Sequence, residues 1–121
     1  MDRDYKEGYS RMENLEQHVK KYFNNFSDKN LKELSKMFSE NISLQDWETL
    51  AKGKSEVLDA NKNIFDSVDS ISVTLNQFYQ DGLVAICLID INVNQEEILK
   101  VIDIIKFDND QKIIEVSAYK Q

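Results

Sequence analysis

Between residues 12 and 26 the apolar side chains Met12, Leu15, Val19, Tyr22, Phe23 and Phe26 recur at steps of three and four, the period of a helix that buries one stripe. Tyr22 therefore falls on the inward stripe. The pattern breaks at Ser27-Asp28 and resumes with Leu31, Leu34, Met37 and Phe38, which predicts a second, shorter helix capped by Asp28 or Asn30. A third helix is predicted over residues 55–67, after Gly53, with Ser55 as its cap and Val57, Leu58, Ala60, Ile64 and Phe65 as its buried side.

After Ser70 the period becomes two. Ile71, Val73 and Leu75 alternate with Ser72, Thr74 and Asn76, the signature of a half-buried strand. Asp81-Gly82 predicts a tight hairpin of type I′, in which both central residues carry positive φ. The next strand, residues 83–93, puts Ala85, Cys87, Ile89, Ile91 and Val93 on one face and Asp90 and Asn92 on the other. Asn94-Gln95-Glu96 turns the chain into ILKVIDIIKFD, residues 98–108, and Asp108-Asn109-Asp110-Gln111 turns it again into residues 112–119. Short connections between four consecutive strands make an antiparallel meander. Helices first and strands afterwards define an α+β class, with three helices covering one face of a strongly curved sheet.

Within ILKVIDIIKFD the odd positions are Leu99, Val101, Asp103, Ile105 and Phe107, while Lys100 and Lys106 mark the even face as the wetter one. In an unbulged register Asp103 points into the apolar side. An unpartnered buried carboxylate costs several kcal/mol, so such a group is paired, hydrogen-bonded or held protonated. NISLQDW, residues 41–47, has the same peculiarity: Asp46 continues the face of Ile42 and Leu44. Either acid could also have an ordinary role, Asp103 pairing with a lysine or hydroxyl and Asp46 ending a strand at solvent.

Composition narrows the functional classes. A chain of 121 residues with 41% hydrophobic and 31% charged residues reads as one globular domain over 1–121, with 1–10 a poorly ordered or fraying helix start. MDRDYKEGYSRMENLEQ has no apolar run, so it reads as neither a signal peptide nor a membrane span. A net charge of -7 disfavours nucleic acid. The single Cys87 forms no internal disulfide, and the expected compartment is the cytoplasm. One histidine, three scattered glycines and no His/Cys cluster predict no metal and no cofactor.

The stretch HVKKYFNNFSDKNLKELSKMFSENISLQDW resembles the opening of the nuclear transport factor 2-like superfamily, in its SnoaL-like and ketosteroid isomerase-like branches. KGKSEVLDANKNIF is similar to that family's third-helix start, and VIDIIKFDNDQKIIEVSAY to its closing hairpin. The resemblance implies a cone-shaped, cystatin-like fold enclosing a pocket. Ketosteroid isomerases set an aspartate base, a tyrosine and a protonated aspartic acid in an apolar cone; by resemblance these roles fall on Asp46, Tyr22 and Asp103. Trp47 stands where those enzymes usually carry proline. His18, Phe26, Trp47, Phe65, Val101 and Ile105 are the expected pocket lining.

What the resemblance implies is a SnoaL-like pocket protein acting as a cofactor-independent isomerase, cyclase or dehydratase on a small apolar or aromatic carbonyl compound. The alternative is a noncatalytic ligand-binding or dimerisation module of the same fold. A homodimer is implied through the outer sheet face, where the even-face reading places Ile86, Leu88, Ile102, Ile104, Ile114 and Val116.

Overall fold

Helix α1 spans Asp2–Ser27 and buries Leu15, Val19, Tyr22 and Phe23. The computed structural model describes residues 2–121, with side chains from Leu15 onward. Met12 and the segment 1–10 expected to fray thus have side chains outside the described residues. The helix ends in a Schellman arrangement, with Asn30 N donating to Asn25 O (2.9 Å) and Lys29 N to Phe26 O (3.0 Å). Lys29 holds the left-handed position (φ 56°) that usually goes to glycine. Its Nζ donates to Val68 O at 2.7 Å, tying the end of α1 to a distant loop.

Asn30, not Asp28, caps α2 (Leu31–Met37): its Oδ1 accepts from Glu33 N at 3.1 Å. Phe38, expected in that helix, instead opens strand β1 (Phe38–Gln45) in extended conformation. A three-residue strand β2 (Leu50–Lys52) follows, unforeseen in the periodicity. Helix α3 (Lys54–Ser67) is capped by the backbone of Gly53 at φ 89°, and Ser55 makes no cap. Glu56 partly compensates, its Oε1 accepting from Lys52 N at 3.0 Å.

The meander consists of β3 (Ile71–Asp81), β4 (Val84–Val93), β5 (Glu97–Phe107) and β6 (Ile113–Lys120). The six strands form one sheet in the order β2-β1-β6-β5-β4-β3. Every pairing is antiparallel except β1 with β6, which is parallel because the α3 and meander segments carry the chain back to β1's side. The fold is α+β, three helices on a mixed, non-closed sheet, as the sequence pattern predicts.

Turn chemistry differs from expectation. The β3–β4 loop is Gly82-Leu83, flanked by the Asp81↔Val84 pair, and only Gly82 has positive φ. That is what a II′ hairpin requires. Positive φ at two successive residues occurs instead at Asn94 and Gln95 (56° and 57°), closed by Glu96 N donating to Val93 O.

Candidate functional site

Pairing between β4 and β5 runs from Val84↔Lys106 to Val93↔Glu97 without a bulge. Alternation is therefore preserved, and Asp103 is buried, 7% exposed, opposite Cys87 on one neighbour and Ala118 on the other. Burial, and secondarily the negative charge of Asp46, push its carboxyl from 3.8 to about 7. Near neutral pH a large share of Asp103 is thus a neutral acid able to donate a hydrogen bond.

Tyr22 comes from the opposite wall, on the inward stripe of α1, and is buried against Phe23, Phe26 and Phe38. Burial, with smaller effects from Asp103 and Cys87, raises its hydroxyl pKa further, so it stays an O–H donor. Burial and the Asp103 charge likewise push the Cys87 thiol up to about 12, leaving a neutral side chain with no nucleophilic character.

Asp46 follows β1 directly and folds the chain back on itself. Its Oδ1 accepts from Glu48 N (2.8 Å) and Thr49 N (2.7 Å), and its own N donates to Thr49 O (2.9 Å). This turn makes β2 possible, since it returns residues 50–52 alongside β1. It also fixes the carboxylate's orientation, with Oδ2 outside those two bonds.

These three side chains line one cavity of about 360 Å³, within the size range of small-molecule sites. Its walls are Phe23 and Phe26 from α1, Asn61 and Ile64 from α3, and Leu44, Ile89, Ile91, Leu99 and Ala118 from the sheet. The exposed lining residues Trp47, Glu48, Glu97 and Lys120 mark its open side. There Lys120 Nζ lies 5.4 Å from the centre of the Trp47 ring, a cation–π contact.

Of the expected lining, Phe26 and Trp47 reach the cavity and four residues lie elsewhere. His18 borders a polar cleft with Lys21, Glu33, Lys36 and Asp110, its ring 6.3 Å from that of Phe107. Four residues advance a helix by 400°, so His18 is rotated about 40° from Tyr22. The same four residues set it about 6 Å along the axis, one turn nearer the closed end and beside Phe107. Phe65 packs edge-on against Phe26 (4.9 Å, 70°) behind the wall. Val101 and Ile105 are fully buried and do not line the cavity.

Val116 also departs from expectation: it pairs with Ile105 and lines the cavity, so it faces inward. A register irregularity between Lys106 and Phe107 shifts β6 by one residue and reverses the assignment of its faces. Asn61 was missed altogether. The available signal was its place in the α3 stripe, four residues from both Val57 and Phe65.

The architecture is that of a pocket-forming α+β cone, and solved structures with the same fold bear out that class. An NTF2-like protein of unknown function from Cytophaga hutchinsonii superposes with a TM-score of 0.75 at 12% identity, covering 88% of this chain and 89% of that one. A proposed SnoaL-like polyketide cyclase from Shewanella denitrificans gives 0.78 at 14%, covering 88% and 90%. A hypothetical protein with a ketosteroid isomerase-like fold from Catenulispora acidiphila, in complex with trimethylamine, gives 0.76 at 11%, covering 84% and 83%. At these identities the likeness establishes the nuclear transport factor 2-like fold. No protein-family model matches the sequence, and no curated protein matches it. Among the described residues no helix is long and apolar enough to cross a membrane, and no group of three or more His, Cys, Asp or Glu is placed to hold a metal ion.

Proposed function

We propose that the cavity binds a small apolar or aromatic carbonyl compound and promotes proton transfer at the carbon beside the carbonyl. The reading is carried by one observation: Tyr22, Asp46 and Asp103 line the same largely apolar cavity. Asp46 takes the proton from carbon; the electron pair moves onto the carbonyl oxygen, where Tyr22 and protonated Asp103 donate hydrogen bonds. Return of the proton to a different carbon completes an isomerisation with nothing gained or lost. The SnoaL-like and isomerase-like folds of the neighbours agree with such chemistry.

A second reading, a noncatalytic binding module, is favoured by the Asp46 turn, which engages one of the two carboxylate oxygens in backbone hydrogen bonds. The two separate in one experiment. With 2-tetralone in D2O, followed by NMR, wild type should exchange the protons beside the carbonyl faster than buffer. Asp46→Asn should lose roughly 10²–10⁴-fold of that rate while still binding 2-naphthol, an enolate mimic. Tyr22→Phe and Asp103→Leu should weaken 2-naphthol binding. Exchange at the buffer rate with 2-naphthol bound selects the binding module; failure to bind 2-naphthol ends both readings.

As partner we propose a second copy of the chain on the outer sheet face. The rows Tyr79-Ile86-Ile104 and Leu88-Ile102-Tyr119 make that face apolar, and both tyrosines are more than half exposed. Light scattering should give twice the 14.2 kDa chain mass, and Ile102→Glu should halve it. The free, buried Cys87 fits the reducing cytoplasm proposed as its compartment.

A further inference from the structure

Asn61 stands on the α3 wall of the cavity, 3% exposed, and its Nδ2 has no hydrogen-bond partner among the described residues. Buried amide groups are nearly always hydrogen-bonded, and one that is not destabilises the chain that carries it. Nothing in the packing of α3 calls for an amide here. The inward residues one turn before and after, Val57 and Phe65, are apolar and buried, and leucine has nearly the same shape as asparagine.

Asn61 also lies on a different element from the other polar groups of the site. Tyr22 belongs to α1 and Asp103 to β5, whereas α3 brings its amide alongside the apolar Ile64. Half a turn about the last side-chain torsion exchanges N–H donor and carbonyl acceptor. A ligand oxygen could therefore be met as either acceptor or donor.

We infer that Asn61 is a ligand-recognition residue, its carboxamide hydrogen-bonding a second oxygen on the bound compound, so that the cavity selects two-oxygen ligands such as hydroxyketones, diketones or diphenols over single carbonyls. The inference rests on the reading of Tyr22 and Asp103 as the anchor for the first oxygen. It adds what that reading lacks, namely which compounds are preferred and which wall chooses among them.

The experiment compares 2-naphthol with the 1,6-, 2,6- and 2,7-dihydroxynaphthalenes by isothermal titration; each keeps the 2-naphthol hydroxyl, and the isomers scan the separation between the two oxygens. For wild type, at least one isomer should bind about tenfold more tightly than 2-naphthol, or ~1.4 kcal/mol. In Asn61→Leu the ratio of affinities between that isomer and 2-naphthol should fall to about one, and Tm should equal or exceed wild type because an unpaired buried amide is gone. Asn61→Ala should lose the same increment.

Diphenols binding no better than 2-naphthol to wild type would overturn the inference and leave the Tyr22–Asp103 anchor intact. Failure of 2-naphthol to bind overturns both. If Asn61→Leu and Asn61→Ala both lower Tm sharply and weaken 2-naphthol equally, Asn61 is a structural residue and the inference is wrong.

Discussion

One strand, β5, runs through two unlike interiors. Toward its C-terminal end Ile105 and Phe107 are packed solid with Leu15, Val19, Leu34, Phe38 and Ile113, all between 0 and 3% exposed. Toward its N-terminal end Leu99 and Asp103 face open space. The alternation of inward residues is identical in both halves. What differs is the cover: Leu15, Val19 and Leu34 close over the first half, whereas Tyr22, Phe23 and Phe26 of α1 with Asn61 and Ile64 of α3 border a cavity over the second. A hollow thus requires no special strand, only a lid of different composition above an ordinary one. The solid half can supply the stability that a cavity with buried polar groups lacks.

The largest effect that separates the two halves is truncation. Phe38→Ala at the closed end should cost ~3–5 kcal/mol and Ile113→Ala ~2–5 kcal/mol, because neither site can relax around the void. Leu99→Ala and Ile91→Ala, on walls that already face a cavity, should cost less than about 1.5 kcal/mol. Urea denaturation of the four variants checks the ranking, and equal losses at both ends would erase the distinction.

Next comes pH. Asp103 titrates near 7 in the folded chain against 3.8 ordinarily, so between about pH 4 and 7 the folded state holds a proton the unfolded state has released. Stability therefore falls as pH rises through that window and is level above it, a change on the order of 4 kcal/mol. The facing groups do not reverse the sign: Tyr22 and Cys87 stay protonated throughout, and the Asp46 charge acts in the same direction. Asp103→Asn should flatten the profile between about pH 4 and 7 and be the more stable protein at pH 8. Asp46→Asn should move the window to lower pH without removing it.

These two halves were not equally legible in the sequence. Period-two alternation identified the inward set of β5, including Asp103, because pairing with β4 is unbroken and no later event could change its face. The same rule misassigned Val116, since an irregularity one strand away resets β6. Helical spacing brought Tyr22 inward correctly but does not say where along the helix the cavity ends, and His18 lies one turn beyond it. Asn61 escaped because α3 was read by its apolar residues alone, so a polar residue within the stripe left no mark. Strand β2 depends on the Asp46 turn rather than on its own three residues.

At the open rim the contact of Lys120 with Trp47 is exposed, so Lys120→Met should change stability by no more than ~1 kcal/mol. Chemical denaturation gives the number, and a larger loss would make the rim part of the core.

The smallest effect belongs to Gln95 in the β4–β5 turn, which closes the strand pair at the cavity end. Asn94 and Gln95 both sit at positive φ, a region that asparagine tolerates and glutamine does not favour. Glycine removes the Cβ clash that Gln95 carries, although it gives the unfolded chain more freedom to lose. Strain relief of ~1 kcal/mol or a little more against an entropic loss of ~0.4–1 kcal/mol leaves Gln95→Gly neutral to slightly stabilising. Asn94→Val, which forces a β-branched side chain into the same region, should instead destabilise by more than ~1 kcal/mol. The pair of melting curves tests whether the sheet imposes positive φ on Gln95 at a cost in strain, because a Gln95→Gly variant that melts clearly lower would show that there is no strain to relieve.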